Sequence, residues 1–185
     1  MDPEECDFMA EDEPITVIPN FSTEQPQEFF FGLAGPFEAG MPIDVPLFVA
    51  FYLRRRHKAK IVAPKWLTIE ELKKFIQEER GMPGLTKLPK HFFEISRVLI
   101  SKAAHDITEH DQMMPLVRDI WDMRISKMRK LTAAFLGQAT ENQLMVDNIT
   151  EIETCLARRF LDEATYNIDK FTELFFAFAP KNTQQ

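Results

Sequence analysis

Seven of the twelve prolines and three of the six glycines in this 185-residue chain fall before residue 47, whereas between Lys90 and Ala179 there is one of each, Pro115 and Gly137. Proline lacks the amide donor that an interior helical turn needs, and glycine frees the backbone for turns. The first part is therefore expected to be strand and loop, and the later part is free to be almost wholly helical. The fold class that follows is α+β, mainly α, with a small β-rich domain ahead of a helical bundle. No internal repeat at a spacing of about 20 to 50 residues interrupts that division.

Charge divides the chain in a similar place. Residues 1–53 hold eleven acids and no Lys or Arg, while residues 54–185 hold all 22 bases against 18 acids, so the net charge of −7 hides a remainder of +4. Two oppositely biased segments imply two differently used surfaces. The early acids, Asp2, Glu4, Glu5, Asp7, Glu11, Asp12 and Glu13, read most simply as a solvated N-terminal arm. With 45% apolar residues the chain can bury on the order of 70% of its unfolded surface, which argues against overall disorder. Cys6 and Cys155 are remote in sequence, and neither belongs to a C-x-x-C pair or a Cys/His cluster, so neither a disulfide framework nor a zinc site is expected. No basic segment followed by an apolar run opens the chain, and no apolar run approaches the ~20 residues that span a bilayer. The expectation is a soluble intracellular protein whose sequons, Asn20-Phe21-Ser22 and Asn148-Ile149-Thr150, carry no glycan.

Local patterns fill in the elements. Ile15-Thr16-Val17-Ile18 reads as a buried strand stopped by Pro19, with further strands over 28–31 and 59–63. Gly35-Pro36-Phe37 and Gly40-Met41-Pro42 are turn chemistry, and Asp44-Val45-Pro46 is a helix opening for residues 47–56. Thr68-Ile69-Glu70-Glu71 has capping-box spacing and opens a helix that faces Leu72, Phe75 and Ile76 inward, ended by Gly81 and Gly84. Phe92, Ile95, Leu99 and Ala103 stripe the next helix. A third, starting close to Pro115 and running through Phe135, places Met113, Val117, Ile120, Trp121, Ile125 and Met128 on one side. Leu116 and Met123 widen that stripe beyond what one packed neighbour needs. The last pattern, carried by Ile152, Leu156, Phe160, Ala164, Ile168, Phe171, Phe175 and Phe178, is the longest. About 25 residues at 1.5 Å each span ~38 Å, comparable with the full width of a compact chain whose radius of gyration is ~16 Å. Apolar residues sustained over that length call for partners outside the chain. The consecutive Phe29-Phe30-Phe31 and Phe175-Phe176 add to this, because they cannot all point inward from one face.

Catalytic constellations are missing. There is no G-x-x-x-x-G-K-[ST], Gly32-Leu33-Ala34-Gly35 has no following Lys to receive a phosphate, and no G-x-S-x-G elbow occurs. No catalytic residue, cofactor site or small-molecule substrate is therefore assigned. His105 and Glu109 share one helix face and Asp106 and His110 another, so one metal ion cannot easily collect all four, and a polar helix end is the better reading. Arg54, Arg55, Arg56, His57, Lys58 and Lys60 form a basic cluster beside Phe51 and Tyr52. Two readings stay open for it: cations complementing a helix C-terminus, or phosphate contact in a DNA-binding module whose affinity falls steeply with salt. Arg124, Lys127, Arg129 and Lys130 form a second group, read as a solvated face or an acid-pairing surface.

A set of six segments carries a resemblance. Ile15-Thr16-Val17-Ile18-Pro19-Asn20-Phe21, Gly35-Pro36-Phe37, Val45-Pro46-Leu47, Ala63-Pro64-Lys65-Trp66-Leu67, Leu88-Pro89 before Phe92-Phe93, and Asp119-Ile120-Trp121-Asp122-Met123-Arg124-Ile125 follow one another in register over residues 1–155. In order and spacing they closely resemble the Partner of Sld Five 2 family of GINS complex subunits. The resemblance implies a β-rich domain with an acidic arm and one helix over 1–65, a helical domain of the GINS A type over 66–179, and a short tail over 180–185. It also implies a non-enzymatic, nuclear subunit of a heterotetramer with three other GINS subunits. That tetramer joins the MCM ring and a RecJ-like partner factor in the active replicative helicase, the ATP chemistry belonging to the ring. On this reading Phe92, Ile95, Leu99, Val117, Ile120, Trp121, Ile125, Met128, Leu156, Phe160, Phe171 and Phe175 belong to the intersubunit core. Trp66 and Trp121 are buried anchors with satisfied indole N–H groups, and Asp122 pairs with Arg124 at the rim. Arg54, Arg55, Arg56, Lys58 and Lys60 face the helicase partners, with DNA contact indirect or weak.

Overall fold

The computed structural model describes residues 2–29, 32–137 and 147–178. Its small sheet is built on β1 (Pro14–Pro19), flanked antiparallel by β4 (Ile43–Pro46) and β5 (Ala59–Ile61), in the order β4-β1-β5. Val17 pairs with Ile43 on one side and Ile61 on the other. Alternation along β1 sends Ile15 and Val17 into the core, as a strand with one covered face requires. The prolines of β1 sit at its two ends, where a missing amide costs the ladder least. A separate hairpin pairs β2 (Gln27–Phe29) with β3 (Gly32–Ala34). Helix α2 (Leu47–Arg55) covers the sheet with Leu47, Val49, Ala50 and Leu53.

Two expectations for this first part change. The acidic arm is not free: residues 3–10 form helix α1 (Pro3–Ala10), with Pro3 at its first turn and Glu5 accepting a 2.9 Å hydrogen bond from the Asp2 amide. Cys6 and Ala10, one turn apart, are buried, while Asp7 pairs with Arg97 and Glu13 with Lys90. Asp44-Val45-Pro46 does not open α2 from a loop either. It is strand β4, and the chain passes from strand to helix at Pro46 without a connection.

The helical part opens at α3 (Ile69–Gly81), whose N-cap Thr68 accepts from the Glu71 amide as the sequence spacing predicts. Leu72 and Ile76 are buried, and Phe75 packs its ring edge-on to Phe92 at 5.8 Å. Helix α4 (Phe92–Lys102) buries Phe92, Phe93, Ile95, Leu99 and Ile100. After a single 3-10 turn over Ala104–Asp106, helix α5 runs His110–Gly137. It starts ahead of Pro115 rather than at it. Pro115 is the sixth residue of α5, so the bond an amide there would give to the Asp111 carbonyl is missing within the second turn. Helix α6 (Glu151–Phe178) is 28 residues long, about 42 Å at the usual rise. The side chains of Phe160, Phe171, Phe175, Phe176 and Phe178, like Phe30, Phe31 and the 180–185 tail, lie outside the described residues.

One aromatic series ties the parts together. Trp66 meets Phe92 at 5.1 Å, Phe92 meets Phe93 at 5.1 Å, and Phe93 meets Trp121 edge-on at 4.8 Å. Tilted and edge-on rings at these distances are favourable beyond the area they bury. Fold also brings together what sequence separates: Cys6 in α1 and Cys155 in α6 are free thiols with sulfurs 3.4 Å apart.

Candidate functional site

Helix α5 carries two apolar stripes. Met113, Val117 and Ile120 point into the chain's own core. Met114, Trp121, Ile125 and Met128 lie round to one side of it, and at most partly covered. Beside this second stripe, three shallow grooves follow one another along α5. The first, about 250 Å³, lies between α4 and α5 and is bounded by Phe93, Met114, Val117, Trp121 and Ile152. The second, about 260 Å³, shares Trp121 and adds Ile125, Met128, Thr132, Leu156 and Ala157. The third, about 340 Å³, shares Met128, Thr132 and Ala157 and continues to Leu161 and Asp162. Together they form one apolar trough with Arg118, Arg129 and Arg158 at its margins. Glu94 and Arg97 also border the first groove and Asp162 the third, but most of the described lining is apolar, and it is suited to receiving another apolar surface.

The anticipated interface residues therefore sort into two sets. Phe92, Leu99 and Ile120 are wholly enclosed, and Ile95 and Val117 nearly so, within this chain. Their side chains hold α4 and α5 together. Trp121, Ile125, Met128 and Leu156 are half-buried on the trough. Trp66 and Trp121 are half-buried rather than enclosed, and neither indole makes a hydrogen bond among the described residues. Asp122 is exposed and does not pair with Arg124.

Arg124 instead lies at the centre of a buried polar network, with no exposed surface. Its Nε and Nη2 donate to Glu153 Oε1 and Oε2 at 2.6 and 2.8 Å, the two-point geometry that suits guanidinium to carboxylate. Nη1 donates to the Thr86 carbonyl at 2.8 Å and to Glu79 Oε2 at 3.3 Å, and Nη2 also reaches the Asn148 carbonyl at 2.8 Å. All five guanidinium hydrogens thus have acceptors. Lys127, one turn on, donates to Glu79 Oε1 at 2.8 Å and to the Met82 and Gly84 carbonyls at 2.7 Å, meeting acceptors that the end of α3 leaves open. Two cations and two carboxylates so lock α3, the loop after it, α5 and the start of α6 into one frame, and that frame fixes the trough.

Elsewhere the basic cluster divides. Arg54 is bound to Asp106 at 2.6 Å and to the Lys102 carbonyl, joining α2 to the end of α4. Asp106 is thereby occupied, and no group of His, Cys, Asp and Glu among the described residues could hold a metal ion. Arg56 stacks over Tyr52 at 4.6 Å and Lys58 lies over Phe21 at 5.4 Å. Arg55, Arg56, Lys58 and Lys60 are exposed. No helix among the described residues is long and apolar enough to cross a membrane.

Comparison with known proteins bears on both halves. Residues 2–62 match the PSF2 N-terminal domain family, and residues 66–165 match the GINS complex protein helical bundle domain. The chain belongs to the PSF2 family of GINS proteins. Among PSF2 relatives, the probable DNA replication complex GINS protein PSF2 of Caenorhabditis elegans is 41% identical over 162 residues, covering 88% of this chain and 90% of that protein. The Brugia malayi protein of the same description is 36% identical over 183 residues, 99% of this chain and 96% of its own length. The human DNA replication complex GINS protein PSF2 is 35% identical over 171 residues, 92% and 91%.

In this PSF2-family chain, the partners of Arg124 are what sequence reasoning missed. Glu153 had a local signal: Thr150 and Glu153 have capping-box spacing at the start of α6, and the Thr150 amide and hydroxyl both donate to Glu153 at 2.9 Å. Glu79 had none, since it sits among charged neighbours on α3 and only the packing of α5 shows it to be enclosed.

Two buried carboxylates give the PSF2 helical domain opposite pH responses. Burial pushes Glu94 above the usual carboxylate range, its own backbone and His91 opposing this only in part, with Asp7 and Glu151 adding to it. A raised folded value means that its favourable contribution is complete below the ordinary range, near about pH 4.3, and is lost as pH rises through the raised value. Burial also works against the Glu79 anion, but hydrogen bonds from Lys127 and Thr86 with the charge of Arg124 outweigh it and hold that carboxyl low. Its contribution is present above the ordinary range and is lost on acidification. Thermal unfolding of Glu94→Gln should therefore gain on the parent as pH rises above the ordinary carboxylate range. A difference that does not change with pH would show that Glu94 titrates alike in the folded and unfolded chain.

Proposed function

We propose that this chain is a non-catalytic structural subunit of a GINS complex, joined to three other GINS subunits in a heterotetramer that serves chromosomal DNA replication in the nucleus. The observation that carries the reading is the continuous apolar trough along α5 and α6, set on a rigid polar frame and offering Trp121, Ile125, Met128 and Leu156. Surfaces of this kind pair helix to helix, and large apolar interfaces are often obligate. The further reach of α6, with Phe160, Phe171 and Phe175, belongs to the same intersubunit surface. Hydrogen exchange of the chain within the assembled complex tests this directly. Protection concentrated in residues 114–132 and 152–162 is the expected result, and protection confined to the small sheet would contradict it.

The complex joins the MCM ring and a RecJ-like factor, and the small domain offers them the exposed cations Arg55, Arg56, Lys58 and Lys60, DNA contact remaining indirect. Arg54 contributes by holding α2 in place through Asp106. Reversal of Arg55, Arg56 and Lys60 to Glu should weaken association of the ring and the RecJ-like factor with the tetramer, by roughly tenfold at low salt, and leave the tetramer intact. Unchanged association would remove the cluster from the interface.

A further inference from the structure

Cys6 projects from α1, is fully buried, and makes sulfur contact at 3.4 Å with the half-buried Cys155 of α6, although 149 positions separate them. A disulfide needs sulfurs about 2.0 Å apart, so closing this pair takes an approach of about 1.4 Å between two helices already in contact. We propose that Cys6 and Cys155 form a redox clasp, in which an oxidant of the peroxide class converts the two thiols to an intramolecular disulfide that fastens the N-terminal helix to α6.

Chemistry assigns the order of events. Cys155 is open in part to solvent and within reach of a small oxidant. Cys6 is enclosed, and burial together with the neighbouring Cys155 pushes its thiol up to about 12, which keeps it protonated and unreactive toward peroxide. The Cys155 thiolate attacks one peroxide oxygen, an S–O bond forms as the O–O bond breaks, and hydroxide leaves as water after taking a proton. Cys155 is then a sulfenic acid. The Cys6 sulfur attacks Cys155 Sγ, the S–S bond forms, the S–O bond breaks, and the departing hydroxide leaves with the Cys6 proton as a second water. In sum two thiols and one hydrogen peroxide give one disulfide and two waters. The sulfurs lose two electrons and the peroxide oxygens gain them.

Proximity favours this outcome over further oxidation of Cys155, because the resolving thiol is already in contact. Without the bond, the buried Cys6 and Ala10 and the Asp7 to Arg97 ion pair are among the non-covalent contacts that hold α1. With it, opening of α1 requires α6 to move too.

The test uses the full chain, reduced, then exposed to hydrogen peroxide, unfolded and alkylated with N-ethylmaleimide. The expected result is simultaneous loss of both alkylatable thiols, a linked peptide joining Cys6 to Cys155, no change in oligomeric size, and proteolysis of residues 3–10 slowed by about tenfold until dithiothreitol is added. Cys6→Ser should instead accumulate a Cys155 sulfenic acid that dimedone traps. Cys155→Ser should keep Cys6 alkylatable after unfolding. The proposal is overturned if the parent chain forms disulfides only between molecules, if Cys155 advances to sulfinic acid while Cys6 stays reduced, or if both thiols survive.

Discussion

Replacing Arg124 by Met is expected to destabilise the chain by about 3–5 kcal/mol, the usual cost of removing one partner from a buried ionic network. For a protein of this length that corresponds to a fall of on the order of 10 °C in unfolding temperature. The loss has a definite origin. Met fills much of the volume but leaves Glu153 enclosed with Thr150 as its remaining partner, and leaves the Thr86 and Asn148 carbonyls without the donors that met them. Lys in place of Arg keeps a charge and cannot reproduce the two-point contact, so it should recover part of the stability only. The double variant Arg124→Met with Glu153→Met removes the stranded carboxylate as well. It should be less destabilised than the sum of the single changes, a coupling that calorimetry of the four proteins measures. Strict additivity would mean that Arg124 and Glu153 do not act as a pair.

The second large effect falls on assembly rather than stability. Met128 lines two of the three grooves along the trough. In the isolated chain it is half-buried, so Met128→Asp should cost the fold less than about 1 kcal/mol. Docked against another apolar helix, the same carboxylate would be buried without a partner. Association is expected to weaken by at least about 100-fold, equivalent to about 3 kcal/mol. Ile125→Asp, in the middle groove, should behave alike, whereas Asp122→Asn on the exposed side of α5 should leave association unchanged. Titration calorimetry with the remaining subunits separates these outcomes, with circular dichroism confirming that each variant stays folded. Equal affinity for the parent and both Asp variants would place the intersubunit contact elsewhere.

Much of the bundle was legible because its signals are local. Thr68 and Glu71 lie three residues apart, and Phe92, Ile95 and Leu99 repeat with the helical period, so α3 and α4 follow from neighbours in the chain. Helix α1 was hidden because the acids in and after it suggest solvation, while the bases that meet Asp7 and Glu13, Arg97 and Lys90, are 90 and 77 positions away. Strand β4 was hidden because four residues ending in proline carry too little alternation to tell a strand end from a helix opening. Arg124 shows the same limit at the candidate site. Its neighbours Asp122 and Lys127 make it look like one more charge on an exposed face, and only the approach of α3 and α6 shows that Glu79 and Glu153 enclose it. The trough was foreshadowed by an apolar stripe too wide for one neighbour, yet periodicity could not divide that stripe into Ile120, turned inward, and Ile125 and Met128, left open.

The central claim is that this chain is an obligate structural partner and completes its surface only in company. Mass determination by light scattering after gel filtration, on the chain alone and on the chain co-expressed with three other GINS subunits, tests it most directly. The account predicts concentration-dependent self-association of the chain alone and a single 1:1:1:1 species in company. A stable monomer that elutes unchanged beside the other three subunits would contradict it.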